Sequence, residues 1–362
     1  MRHRNGTSAV GNSLSAKKAE RRRGASTASK TSATSQATAV SKGASGRKSP
    51  GGPTKSHNGW IVLGFLAPIA HFVVATAVYG YKSEYVFVDG IFVALMLAGE
   101  KARQFVVLGF PFWLTGIVYD GLLPAVLHFR GPIHVGDLYN AELQWFGTQS
   151  ANGLCTWSEY FRDHHWPAVD LICGFVYMCY IPEMVPFAIY LFFKDRRRLG
   201  KLTWIFCVVH LANFATYLLY PAAPPWYVEK YGLGPAVLGI PSDAAGFARV
   251  DQILGTTIVQ WFYAHNANVF GAMPSGHVGS AVLFALVAAG MGWRWFVPAA
   301  TFACLMAFGA VYFSHHYIFD VIAGCLYAGL GYCLVTAVEA WWAPAESTAF
   351  ETPAPHLGEA RC

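Results

Sequence analysis

Two histidine-bearing strings carry the chemistry legible in this sequence. The first, Pro274-Ser275-Gly276-His277, stands immediately before an apolar run. Pro, Ser and Gly in that place mark a helix start. A helix start presents N–H groups and the positive end of a dipole, which suit a phosphate. Ser275 and Gly276 would line that seat, Gly276 letting a ligand come close to the backbone, and His277 lies one step inside. The second string is Ser314-His315-His316-Tyr317-Ile318-Phe319-Asp320. His316 and Asp320 are four residues apart, so on a helix they share one side. A carboxylate bonded to one ring nitrogen fixes the tautomer and leaves the other nitrogen free as a nucleophile. His277 can then protonate a departing alcohol. Phosphoryl transfer through histidine is the chemistry this set supports, with neither metal nor cofactor required. His315, beside the nucleophile, is a further substrate-binding candidate.

Taken singly, each string is as compatible with an ordinary hydrogen-bonded histidine. Their conjunction carries the reading. They occur about 40 residues apart, separated by a short helical hairpin, so both emerge on one face of a membrane bundle, where ionisable residues are functional candidates.

The elements that must position them are membrane helices. The chain has 362 residues, 54% hydrophobic and only 13% charged, against about 25% charged in soluble domains. Apolar runs stand at 60–80, 86–100, 104–124, 169–193, 202–222, 277–292, 295–314 and 319–342. Lipid leaves an open backbone unsatisfied, so these runs should be helices. Glu100-Lys101-Ala102-Arg103, Lys194-Asp195-Arg196-Arg197-Arg198 with Lys201, and Arg294 fall in alternate short loops. Basic short loops stay cytoplasmic. The pattern gives eight spans, both termini cytoplasmic, and the histidines on the periplasmic or lumenal side. Glu183, between Pro182 and Pro186 inside the fourth run, is an intramembrane acid for which His210 is a candidate partner.

Residues 1–58 hold 12 Lys and Arg against one acid, Glu20, a net +11, whereas the remainder nets −5. Rich in Ser, Ala, Thr and Gly, this segment reads as a disordered basic cytoplasmic tail. It can orient the first span or touch anionic headgroups. No folded basic face follows it, which argues against nucleic acid as a partner. The catalytic membrane domain then covers 59–342, and 343–362 is a short cytoplasmic tail. Six of the eight cysteines lie inside apolar runs, and no metal-ligand spacing or disulfide framework is present.

P-S-G-H followed by H-x-x-x-D resembles the type 2 phosphatidic acid phosphatase superfamily. A narrower likeness runs through Tyr220-Pro221-Ala222-Ala223-Pro224-Pro225-Trp226-Tyr227, Lys230-Tyr231-Gly232, Gly246-Phe247-Ala248-Arg249-Val250-Asp251 and Val269-Phe270-Gly271-Ala272-Met273. These strings resemble the inositol phosphorylceramide synthase branch, the aureobasidin-target type, and its bacterial relatives. The resemblance covers roughly 220–325 and more loosely reaches Ile133–Tyr139. It implies an all-α integral membrane protein, a six-helix catalytic bundle with about two additional N-terminal helices. It also implies a phosphohistidine mechanism in which His316 is the nucleophile, Asp320 its orienting partner and His277 the acid.

Two departures stand out. The superfamily pattern K-x6-R-P is absent, since Pro221 follows Tyr220, and Ala310 occupies the place of an Arg six residues before the nucleophile. Another cation must then offset the phosphorane charge. Arg249 is the first candidate, unless it merely pairs with Asp251; Lys230, Arg130 and Arg162 are alternatives. Asp120, Asp137, His164, His165 and Asp170 lie near the same face, available to a sugar headgroup or simply solvated. The functional expectation is transfer of a phospho-headgroup, plausibly phosphorylinositol, from a phospholipid to a lipid alcohol such as ceramide, so that membrane lipids are donor and acceptor. Hydrolysis of a lipid phosphate by the same histidines is the alternative. A non-catalytic transporter or scaffold is the remote one.

Overall fold

The computed structural model describes residues 57–342, apart from 181 and 265–267. The basic tail up to residue 56, and the segment 343–362, lie outside the described residues.

Among the described residues, each expected apolar run is helical, and one run is broken. The chain opens with α1 (His57–Tyr79), α2 (Ser83–Leu97) and α3 (Glu100–Phe129), followed by α4 (Asp137–Phe146). A β-hairpin, β1 (Thr148–Ser150) and β2 (Gly153–Cys155), leads into α5 (Trp157–Asp163). The single span expected over 169–193 is instead two helices, α6 (Pro167–Met178) and α7 (Met184–Lys194). Pro182 and Pro186 lack the N–H groups a continuous helix needs. Pro186 is tolerated because it falls in the first turn of α7, where those N–H groups have no intrahelical partner. Then come α8 (Arg196–Leu219), α9 (Pro225–Tyr231), α10 (Ala248–Leu254), α11 (Ile258–Ala264), α12 (Gly276–Ala289), α13 (Trp293–Tyr312) and α14 (Ile318–Trp342).

Among the described residues, four helical stretches are long and apolar enough to cross a bilayer: Glu100–Leu122, Arg196–Leu219, Trp293–Tyr312 and Ile318–Trp342. Shorter apolar helices accompany them. Phe87, Phe175, Phe193, Leu326, Leu330 and Leu334 point outward and exposed, a surface that water does not tolerate at this extent. The chain is therefore an integral membrane protein. Its bundle packs α12 against α13, α14 and α8, with α13 on α6, α7 on α8 and α3 on α8; α1 and α2 join through α3. With the broken α6–α7 counted as one, that is a six-membered helical bundle plus the two N-terminal helices α1 and α2.

Small side chains at the centre let the helices meet closely. Val278, Ala281 and Ala288 of α12 pack with Ala303, Met306 and Ala310 of α13. The tightest crossing joins α12 to α14. A Cβ placed on Gly324 would stand 2.5 Å from the Ser275 carbonyl oxygen, so only glycine fits there. The Ser275 N–H also donates to the Asp320 carbonyl at 2.9 Å. This crossing fixes the two histidine strings against each other. His210 does not meet Glu183: its Nδ1 lies 2.8 Å from the Phe206 carbonyl and its Nε2 3.1 Å from Ser280 Oγ. Glu183 sits at the α6–α7 break with neither carboxyl oxygen hydrogen-bonded.

The connections between α3 and α6 and between α8 and α12 are folded rather than loose. Isolated parallel bridges join His134 to Ala222 and Ala222 to Gly271. The His134 N–H reaches the Pro221 carbonyl at 2.8 Å, and the Ala222 N–H reaches that of Phe270 at 2.9 Å. Three distant segments thus form one backbone strip above the bundle.

Candidate active site

His277 and His316 come together. Ser275 is the N-cap of α12, its hydroxyl accepting from the Val278 N–H. The Ser275 side chain therefore completes the helix end, which positions His277 in the first turn. His316 arrives from the other side. After α13 the chain turns at Ser314, whose φ of +60° is left-handed, a common way to end a helix. The Ala310 carbonyl then takes the N–H groups of both His315 and His316, at 3.1 and 3.0 Å. The buried Ala310, which replaces the superfamily's Arg, thus lies beneath this turn. The His277 and His316 ring centroids end 6.0 Å apart, inclined at 61°.

The near neighbour of His316 Nδ1 is not a carboxylate. The Ala272 carbonyl lies 2.7 Å away, whereas Asp320 Oδ2 lies at 3.6 Å. A carbonyl can only accept, so Nδ1 carries the proton and the Nε2 lone pair is left available. Asp320 still bears on the ring as a nearby charge, and its Oδ2 accepts the Tyr317 N–H at 2.8 Å. The orienting work expected of Asp320 is therefore shared with, and led by, a backbone carbonyl. The backbone strip described above delivers that carbonyl, since Ala272 donates its own N–H to Ala222.

Aromatic rings flank His277 and the neighbouring His315. Tyr177 stacks on His277 with centroids 4.4 Å apart, and Tyr180 lies 4.2 Å from the same ring. His315 is sandwiched between Tyr263, at 4.6 Å, and Tyr177, at 5.5 Å. It braces the wall beside the histidine pair.

Of the four cations singled out from the sequence, Arg130 lies over the Phe270 ring, whereas Arg249, Lys230 and Arg162 lie around a different feature, a cleft of about 420 Å³ beside Ser314. Its walls include Arg162, His165, Glu229, Lys230, Asp243 and Arg249. Arg249 does not pair with Asp251. Its Nε donates to Asp170 Oδ1 at 2.8 Å, and its guanidinium lies over the Tyr312 and Phe313 rings. Asp251 instead accepts from the Thr256 hydroxyl and the Val259 and Gln260 N–H groups, which start α11. Lys230 is ion-paired with Asp243. Arg162 Nε lies 3.3 Å from Asp163 Oδ1, so each of the three cations at the cleft has an acidic partner. Among the described residues, no group of three or more His, Cys, Asp or Glu is disposed to hold a metal ion.

Two polar residues that sequence reasoning missed stand close by. Glu142 of α4 is fully buried, and its Oε2 accepts the Ile318 N–H at 2.6 Å, capping α14 from 176 residues away. Burial pushes its carboxyl up to about 7; the Asp320 charge adds to the effect and the Ile318 N–H opposes it. Asn213 of α8 is buried beside Gly276. The available signal for Asn213 was its isolation within an apolar run, where a polar residue is costly. Glu142 gave no comparable signal, because an acid on an amphipathic surface helix ordinarily faces water.

The profile of the PAP2 superfamily matches residues 153–334, the segment from β2 to α14 that contains both histidine strings. The chain belongs to the PAP2 superfamily. It is 40% identical over 270 residues to the phosphoinositol dihydroceramide synthase of Bacteroides thetaiotaomicron, across 73% of this chain and 88% of that relative. It is also 33% identical over 122 residues to the inositol phosphorylceramide synthase catalytic subunit of Schizosaccharomyces pombe, which covers 33% of this chain and 29% of the relative. The inositol phosphorylceramide synthase of Candida albicans is 29% identical over 139 residues, 38% of this chain and 30% of the relative. No solved structure matches the chain. The chain is thus an enzyme of the inositol phosphorylceramide synthase-like type within that superfamily.

Proposed function

We propose that this enzyme moves a phosphorylinositol group from a phospholipid to ceramide or dihydroceramide through a phosphohistidine on His316. The observation that carries the reading is the His316 ring, with Nδ1 committed to Ala272 and Nε2 left free beside His277 at the start of α12. The names of the bacterial and fungal relatives supply the headgroup and the acceptor.

In the first half-reaction Nε2 attacks phosphorus. The bond from phosphorus to the diacylglycerol oxygen breaks, and His277 gives that oxygen its proton. In the second, His277 takes the proton of the acceptor hydroxyl, the new oxygen–phosphorus bond forms, and the phosphorus–Nε2 bond breaks. Asp320 stabilises the positive charge that His316 carries between the two steps. His316 is 6% exposed, and the His277 ring beside it stacks on Tyr177, which favours a lipid alcohol over water as acceptor. The basic residues Arg196 to Arg198 lie at the opposite end of α8 from the site, and Arg198 reaches the Gly290 carbonyl at the far end of α12. By the positive-inside rule the site then faces the periplasm or a lumen.

The test is a transfer assay on purified protein with labelled ceramide and phosphatidylinositol, following both the new lipid and free phosphate. Phosphorylinositol-ceramide that disappears in His316→Ala is the expected result. His316-dependent phosphate release from phosphatidic acid, with no transfer, would replace this reading by a hydrolytic one. Transfer at the wild-type rate in His316→Ala would refute the nucleophile assignment.

A further inference from the structure

The mechanism above assigns no cation to the phosphoryl oxygens, and the structure offers an uncharged group that can meet them. Asn213 is 1% exposed, and neither its Oδ1 nor its Nδ2 has a hydrogen-bond partner. Nearly all buried polar groups in native proteins are paired, because an orphaned one loses its hydration with nothing to replace it. Two orphaned atoms on one side chain therefore indicate a missing partner.

The direction of the amide identifies that partner's place. A Cβ built on Gly276 would stand 3.6 Å from Asn213 Nδ2 and 3.3 Å from Tyr217 Oη. The amide nitrogen thus lies against the first residue of α12, a helix of 14 residues, one position before His277. The neighbouring Tyr217 cannot substitute for it, because its hydroxyl proton goes to the Pro274 carbonyl at 3.0 Å. Arg249 is held by Asp170, and Lys230 by Asp243. Gly276 follows from the same geometry, since a side chain there would press on Tyr217 and cover the amide.

We propose that Asn213 Nδ2 donates a hydrogen bond to a non-bridging oxygen of the lipid donor's phosphoryl group, beside the amino end of α12. The proposal rests on the phosphohistidine reading and adds a substrate-touching residue to it. A neutral donor and a helix dipole then meet a phosphodiester, which carries one negative charge spread over two non-bridging oxygens. A single preorganised donor to such developing charge is worth about 10²–10³ in turnover.

The experiment compares the full chain with Asn213→Leu and Asn213→Asp, reading thermal stability, inhibition by inorganic vanadate as a five-coordinate phosphate mimic, and transfer turnover. Leu is close in volume and removes the orphaned atoms, so Asn213→Leu should keep or raise Tm. It should lose about 100-fold in turnover, with a similar weakening of vanadate inhibition. Asn213→Asp should weaken vanadate further than Leu does, because it sets a negative charge against an anion. A drop in Tm for Asn213→Leu, with turnover and vanadate inhibition intact, would make Asn213 structural and overturn the proposal. Failure of the underlying reading looks different: wild type would then show neither transfer nor a vanadate effect that depends on His316.

Discussion

Glu142 allows a quantitative test of how the loops hold the site. Its carboxyl titrates at about 7 in the folded protein, against 4.5 for an ordinary glutamate. Between those values the folded chain keeps a proton that the unfolded chain has released. Stability from this group is therefore full below about pH 4.5, declines as pH rises, and levels off above about 7. At ~1.4 kcal/mol per pH unit the loss is on the order of 3 kcal/mol. Glu142→Gln keeps a carbonyl to accept the Ile318 N–H and removes the titration. The groups that face Glu142, namely Asp320 of α14, Glu159 of α5 and the N–H groups of Ile318 and Trp157, are common to both proteins, so their own titration largely cancels in the comparison. The stability difference should move by on the order of 3 kcal/mol in favour of Glu142→Gln between pH 4.5 and 8. On the scale of soluble domains that is roughly 5 °C in Tm. Thermal unfolding of the detergent-purified pair at several pH values measures it. A difference that stays constant across the range would show that Glu142 does not ionise on burial in this way, and the account of its cap on α14 would fall with it.

Other perturbations separate chemistry from architecture. His277→Ala should cut turnover by about 10²–10⁴; a donor with an acidic phenol as leaving group should restore a burst of phenol release from the first half-reaction, while rescuing His316→Ala not at all. Gly324→Ala should force α14 away from Ser275, costing about 1–3 kcal/mol and reducing turnover. Gly329→Ala, where a Cβ meets nothing within 4 Å, should do neither, and equal losses in both would refute the crossing as the cause. Arg249→Leu should act mainly on stability, by about 3–5 kcal/mol, because it strands the buried carboxylate of Asp170. The double variant with Asp170→Leu should regain much of that, whereas a turnover loss per folded molecule that persists in the double variant would return Arg249 to the phosphate site.

The helices and the histidine pair were legible because both depend on local pattern. Apolar runs of the right length gave the spans, and the four-residue spacing placed Asp320 near His316. What escaped depends on contacts between distant segments. Arg249 and Asp170 are 79 residues apart, so the nearby Asp251 was the natural but mistaken partner. The fourth run was continuous in hydrophobicity, and only its two prolines hinted at the break between α6 and α7. The sequence marks Asn213 only as a polar residue within an apolar run, and its want of partners is visible only in the fold. The Ala272 carbonyl was invisible for a deeper reason, since every residue carries one and only the fold decides where it points.

That last feature bears on how this enzyme can change over evolutionary time. A carboxylate that holds a catalytic ring can be lost by a single base change. The group nearest His316 Nδ1 is part of the main chain, so no substitution at position 272 deletes it. Its placement depends on the strip that ties His134, Ala222 and Gly271 together. Genetic sensitivity is thereby moved off the partner and spread over three separate loops, each able to vary in side chains while its backbone path is kept. Side chains on those loops can thus change while the group that sets the ring's tautomer is inherited unchanged.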